Sequence, residues 1–160
     1  MEAITAFTLF LAIFQITCAS TISKLATGTA SGFYHTVGTP AAQIAAVGDP
    51  QPSTIYFNSG GFAPQYLQLE LPCLYTVHNI FLQTAYLSAS STPHTGHTIH
   101  ELYAGNTTIP TKLVARLDGN TTSNQWIHVH FYPPLTDVRF LRLHTSYSES
   151  WVAWKKFLVF

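Results

Sequence analysis

Asn58-Ser59-Gly60-Gly61-Phe62-Ala63-Pro64-Gln65-Tyr66-Leu67-Gln68-Leu69-Glu70-Leu71 brings a turn, an aromatic tip and a strand together in one stretch. Gly60 and Gly61 accept positive φ without a Cβ clash, and Pro64 fixes its own φ and removes a backbone donor, so the residues before Gln65 read as a shaped loop. From Tyr66 the pattern alternates. Leu67, Leu69 and Leu71 take one face and Tyr66, Gln68 and Glu70 the other, the period of a half-buried strand. A loop closing onto a core strand is a natural carrier of recognition residues.

Working outward, Lys24 to Ala30 reads as a first strand and residues 31–52 as a long irregular segment rich in Gly, Ala and Pro. Further strands are expected at Tyr66 to Leu71, Thr76 to Thr84, Thr98 to Ala104, Lys112 to Leu117, Gln125 to Phe131, Val138 to Thr145 and Trp151 to Phe160. No segment shows a helical period. Turn signals such as Ala104-Gly105-Asn106, Asp118-Gly119-Asn120 and Pro133-Pro134 separate the runs. The pattern predicts an all-β sandwich of the jelly-roll kind. Its expected core is Leu69, Leu71, Ile80, Leu82, Ile127, Val129, Leu141 and Leu143, with Trp151 or Trp154 closing one end. Trp126, Trp151 and Trp154 read as core or sheet-face residues.

Ala6 to Ile16 is an apolar run too short to span a bilayer, and Thr17-Cys18-Ala19 follows it, so residues 1–19 read as a signal peptide cleaved before Ser20. A buried N-terminal helix is the alternative. Residues 20–160 are then expected to form one secreted domain without a membrane helix. Seven basic and seven acidic residues balance, which gives no bulk attraction to nucleic acid or to an anionic membrane. Cys18 falls in the signal, leaving Cys73 as a single thiol, expected to be a buried small hydrophobe. Asn106-Thr107-Thr108 and Asn120-Thr121-Thr122 are glycosylation sequons in turn-like stretches, which a Thr-rich chain also produces by chance.

Several of these stretches together resemble the discoidin (coagulation factor 5/8 type C) family. They are Gly48-Asp49-Pro50, Ser53-Thr54, Asn58 to Gly61, Pro64 to Leu71, Arg139-Phe140-Leu141-Arg142-Leu143 and Trp151-Val152-Ala153-Trp154, in that family's order and spacing. The resemblance implies a galactose-binding-domain-like jelly roll of about eight antiparallel strands. Members include carbohydrate-binding modules and lectins, and others that bind phospholipid headgroups or proteins, so the fold leaves the ligand class open.

In many sugar-binding members a structural calcium is held by the acid of an A-x-D-G turn and by a Glu near the last strand. Here Val47 precedes Gly48, and Lys156 falls where that Glu is expected. An ammonium repels a calcium ion that needs hard oxygen ligands. A residual site at Asp49 stays open, and the expectation is that Lys156 replaces the cation by pairing with carbonyls or with Asp49.

The acids Asp49, Glu70, Glu101, Asp118, Asp137 and Glu149 show no catalytic spacing, and no phosphate loop is present, so no enzymatic activity is expected. His128 and His130 share a strand face but form only half a zinc site. Arg139 and Arg142, three apart, are expected on opposite faces, with at least one structural.

The resemblance places the Phe33-Tyr34-His35 tip, the Phe62-Ala63 tip and the Ser90 to His97 loop at one end of the sandwich. Tyr34, His35, Phe62, His94 and His97, with Tyr147 as a further contact, are the candidate ligand residues, because ring faces suit the C–H side of a sugar and imidazoles suit its hydroxyls. The expected partners are glycans or glycoproteins. The alternative is a cell-adhesion or protein-binding domain that engages an extracellular protein.

Overall fold

A computed structural model describes residues 21–85 and 95–160. The proposed signal peptide and His94 lie outside the described residues. Among the described residues seven strands, β1 (Thr27–Ala30), β2 (Phe57–Asn58), β3 (Gln65–Thr84), β4 (Thr95–Gly105), β5 (Lys112–Thr122), β6 (Trp126–Ser148) and β7 (Ala153–Val159), pair only antiparallel, in the order β2-β7-β3-β6-β4-β5, with β1 also on β3.

Two strands run through both layers of the sandwich. β3 and β6 pair from Gln65↔Thr145 to Gln83↔Trp126, with register shifts between Glu70 and Asn79. Bulges of this kind bend a ribbon and increase its twist. Beyond the shifts the neighbours change: β1, β4 and β5 flank the half that begins at Gln65, whereas β7 and β2 flank the half that ends at Thr84. The halves face each other, since the His100 ring of β4 packs edge-on against the Trp154 ring of β7 at 4.7 Å. The segments read as separate strands, Tyr66 to Leu71 and Thr76 to Thr84, and likewise Gln125 to Phe131 and Val138 to Thr145, are thus halves of β3 and β6.

The core lies between the layers. Leu67, Leu69, Leu71, Leu141 and Leu143 from one side meet Ile80, Leu82, Trp154, Phe157 and Val159 from the other, all fully buried. Each such side chain contributes about 1.5–3 kcal/mol relative to exposure. Ile127 and Val129, expected in the core, are only half-buried. Among the described residues their half of β6 pairs with β3 alone.

Three further expectations are corrected. The segment 31–52 contains a helix, α1 (Pro40–Gly48), started by Pro40 at its first position and by the Thr39 hydroxyl, which accepts from Ala42 N at 3.3 Å. Lys24 belongs to a 3₁₀ turn, Ile22–Leu25, that precedes β1. Cys73 is exposed, because it sits in the bend of β3 where the alternation of Leu67, Leu69 and Leu71 has been broken. Among the described residues no helix is long and apolar enough to cross a membrane.

Candidate functional site

Gln43 of α1 organises the end of the sandwich at which the sequence places the site. Its side chain is fully buried; Nε2 donates to Tyr34 O and Gly38 O, each at 2.9 Å, and Oε1 accepts from Asn58 N at 3.0 Å. Tyr34 N in turn donates to Asn58 O at 2.7 Å. Asn58 Oδ1 accepts from Gly60 N at 2.9 Å, and Gly60 adopts a φ of 76°, the left-handed conformation that favours glycine. The two loops carrying Tyr34 and Phe62 are therefore tied to one helix and to each other.

The Ser148–Val152 segment between β6 and β7 links these loops to β4. Ser59 N donates to Val152 O and Val152 N to Gly61 O, both at 3.0 Å. The Trp151 ring meets Tyr34 edge-on at 5.3 Å, and the exposed His35 ring lies 5.4 Å from Tyr34. Two residues before Trp151, Glu149 Oε1 accepts from His97 N at 3.3 Å. The His97 ring lies 5.4 Å from that of Tyr147, which is exposed, and its Nε2 bonds Asp118 Oδ1 at 2.8 Å. Phe62 is 59% exposed. The structure thus brings Tyr34, His35, Phe62, His97 and Tyr147 to one end, although His97 stands on β4 rather than in the loop expected there.

Trp151 was not among the expected ligand residues. Its signal was position: it follows the polar run Ser146-Tyr147-Ser148-Glu149-Ser150, where β6 ends and a buried Trp would be hard to place. Trp154, three residues on, is the core tryptophan.

Polar pairs frame the site. His97 and then Arg116 hold the Asp118 carboxyl below its ordinary range. Glu101 is held low by its bond to His144, with Tyr103 and Arg116 adding to it. These acids are committed to neighbours. Arg139 pairs with Glu70 at 2.8 Å, and Arg142 bonds Gln68 at 2.8 Å with its guanidinium over the Tyr66 ring. Away from this end, Asn79 Oδ1 accepts from His128 Nε2 and His130 Nδ1 at 2.8 and 2.9 Å, and Phe81 stacks on His128. Among the described residues no group of three or more His, Cys, Asp or Glu could hold a metal.

The calcium position implied by the resemblance does not fit that ion. Lys156, 5% exposed, points its ammonium into the turn after α1 and donates to Ala46 O at 2.9 Å and to Asp49 O and Gln51 O at 2.7 Å. Burial lowers its pKa, yet three carbonyl partners favour the charged form. The Asp49 carboxylate accepts from Gln51 N at 2.9 Å and pairs with Lys24 at 3.5 Å, and its pKa is lowered chiefly by the first of these. An ammonium thus holds the carbonyls that a cation would need.

Beside Trp151 a cleft with about 50 Å³ of room opens between the layers, lined by Thr84, Thr98, His100, Thr145, Trp151 and Trp154 among others. The His100 Nδ1 bonds the Thr145 hydroxyl at 3.0 Å, and burial pulls the imidazole down to a pKa of about 4.

No protein-family model matches this sequence, and no curated protein matches it. Solved structures do. A family 32 carbohydrate-binding module of NanJ from C. perfringens, in complex with galactose, is 19% identical with a TM-score of 0.64, over 88% of this chain and 97% of that one. Chitosan-binding module 1 of a chitosanase/glucanase from Paenibacillus sp. IK-5 is 17% identical with a TM-score of 0.61, over 88% and 98%. A fucolectin from striped bass (Morone saxatilis) serum is 13% identical with a TM-score of 0.67, and the match spans 88% of this chain and 48% of that one. The fold is the galactose-binding-domain-like β-sandwich shared by such modules and lectins, in agreement with the discoidin resemblance.

Proposed function

We propose that this chain is a secreted, non-catalytic module that binds glycans through the end of the sandwich bearing Tyr34, His35, Phe62, His97, Tyr147 and Trp151. The observation that carries this reading is the convergence of exposed and half-buried rings on one end, with hydroxyls and planar polar groups beside them. A sugar presents an apolar C–H face to the first and hydroxyls to the second. The galactose and chitosan bound by similarly folded modules support it. The commitment of Glu101 and Asp118 to Arg116 and to imidazoles supports a binding rather than a hydrolytic role. The apolar N-terminal run supports secretion, and Asn106 and Asn120 are exposed, as glycan acceptors must be.

A glycan array, followed by calorimetry on the best ligand, tests the reading. Phe62→Ala and Trp151→Ala are expected to weaken binding roughly tenfold or more, by the loss of ring contacts each worth on the order of 1.5 kcal/mol. Phe62→Ala should leave the Tm nearly unchanged, since exposed tips contribute little to folding. Silence across neutral and acidic glycans, with capture of an extracellular protein instead, would move the assignment to adhesion.

A further inference from the structure

Two histidines on an exposed face of β6 aim their ring nitrogens at one point. His128 and His130 stand two residues apart, both exposed, and side chains at that spacing share a strand face. Asn79, opposite His130 in the register with β3, holds its Oδ1 at 2.8 Å from His128 Nε2 and at 2.9 Å from His130 Nδ1. A single oxygen atom thus marks where the two nitrogens meet. We propose that His128 and His130 form a chelating site for a divalent transition-metal ion of the nitrogen-preferring kind, Cu²⁺, Ni²⁺ or Zn²⁺, which displaces the Asn79 amide and takes water at its remaining positions.

The movement required is small. Imidazole nitrogens lie roughly 2.0–2.1 Å from such an ion, so replacing the oxygen draws each nitrogen in by about 0.7–0.9 Å. The two ring centroids are 6.3 Å apart with their planes inclined at 56°, and small rotations of two exposed side chains close that gap. The His128 ring is already held: it stacks on Phe81 at 4.2 Å with planes 2° apart, and Phe81 meets Phe160 edge-on at 5.6 Å. Ordering of this kind lowers the entropy that binding has to supply. The site does not depend on the tautomer of the free chain, because a neutral imidazole carries its proton on either nitrogen and leaves the other a lone pair.

The donor set selects the ion. Imidazole suits Cu²⁺, Ni²⁺ and Zn²⁺, whereas Mg²⁺ and Ca²⁺ call for carboxylate and carbonyl oxygens. Among the described residues no group of three or more His, Cys, Asp or Glu is gathered, so the site is bidentate and open, unlike a four-ligand structural zinc centre. Cu²⁺ is then the strongest binder of the three. The imidazoles of His97 and His144 make poorer ligands: they face Asp118 and Glu101, which Arg116 also engages, and a guanidinium so close repels a cation. Asn79 brings no charge.

The test titrates the full chain, free of any polyhistidine tag, with Ni²⁺, which unlike Cu²⁺ does not oxidise the exposed Cys73 thiol. Calorimetry is expected to show one site per chain, and the unpaired electrons of Ni²⁺ should broaden the ring C–H resonances of His128 and His130 before those of His35, His78, His97 and His144. His128→Asn and His130→Asn should each weaken binding by roughly a hundredfold, the lower end of the gain from holding two ligands together. Cys73→Ser should leave it unchanged, and Ca²⁺ and Mg²⁺ should not compete. Unaltered affinity in both histidine variants, broadening that begins at another histidine, displacement by Ca²⁺, or no binding at millimolar Ni²⁺ overturns the site. It uses none of the residues of the glycan-binding reading and stands or falls without it.

Discussion

Two of the buried polar sites in this sandwich are treated in opposite ways. Around Lys156 everything is paired: the ammonium has three carbonyl partners, all within 2.9 Å, and the neighbouring Asp49 carboxylate has its own. Around His100 and Trp154 two ring nitrogens are left without partners among the described residues. Leaving a buried polar atom unpaired costs about 1–3 kcal/mol, so the completed Lys156 set stabilises the fold, whereas the open His100–Trp154 pair, like Asn58 Nδ2, carries a cost.

The largest expected effect sharpens the structural side. Lys156→Met removes the buried donor shared by three carbonyls and should lower stability by roughly 3–5 kcal/mol, as breaking a buried charged set does; urea denaturation measures it, and a loss under 1 kcal/mol would mean that the set is not structural. Leu69→Ala supplies an apolar yardstick, expected to cost about 2–5 kcal/mol by cavity formation. A change of a few tenths in the same measurement would contradict the inward face of β3.

The next effect probes the open side. His100 has a folded pKa of about 4, below the ordinary value of ~6.5 for the unfolded chain. Between those values the unfolded chain binds more protons, so stability is full above pH 6.5 and is lost as pH falls towards 4, a change on the order of 3 kcal/mol. His100→Phe should remove that portion of the pH–stability slope. The smallest effect is none: calcium at millimolar concentration is expected to leave the Tm of the natural chain unchanged, because Lys156 already occupies its carbonyls. A large calcium-induced rise would erase the contrast between the two sites.

The core strand and its loop were legible because their signals are local. The alternation of Leu67, Leu69 and Leu71 survives into the structure, as does the Gly60 turn. Sequence also led to Tyr34, His35, Phe62, His97 and Tyr147 at one end, through the resemblance rather than through spacing. The misses come from longer range. Cys73 is exposed because β3 bends, and the bend is set by pairing with β6, far along the chain. Ile127 and Val129 alternate correctly, but among the described residues their half of β6 pairs with β3 alone. Helix α1 did have a local signal in Thr39-Pro40 followed by an Ala-rich run, but nine residues among Gly and Pro give too few turns for a period to emerge. Gln43 and Trp151 depend on which loops meet, and no single stretch records that.

The Gln43 side chain has a consequence for the thermodynamics of association. Flexible recognition loops lose conformational entropy when a ligand orders them, and that loss is subtracted from affinity. Here one amide joins α1, the Tyr34 loop and the Asn58 loop within the unliganded fold, so the ordering is completed during folding rather than at the encounter. The short helix hidden in an Ala-rich, Pro-flanked stretch thereby acts as a preorganising brace, and a ligand bound at this end would meet a surface with little freedom left to lose.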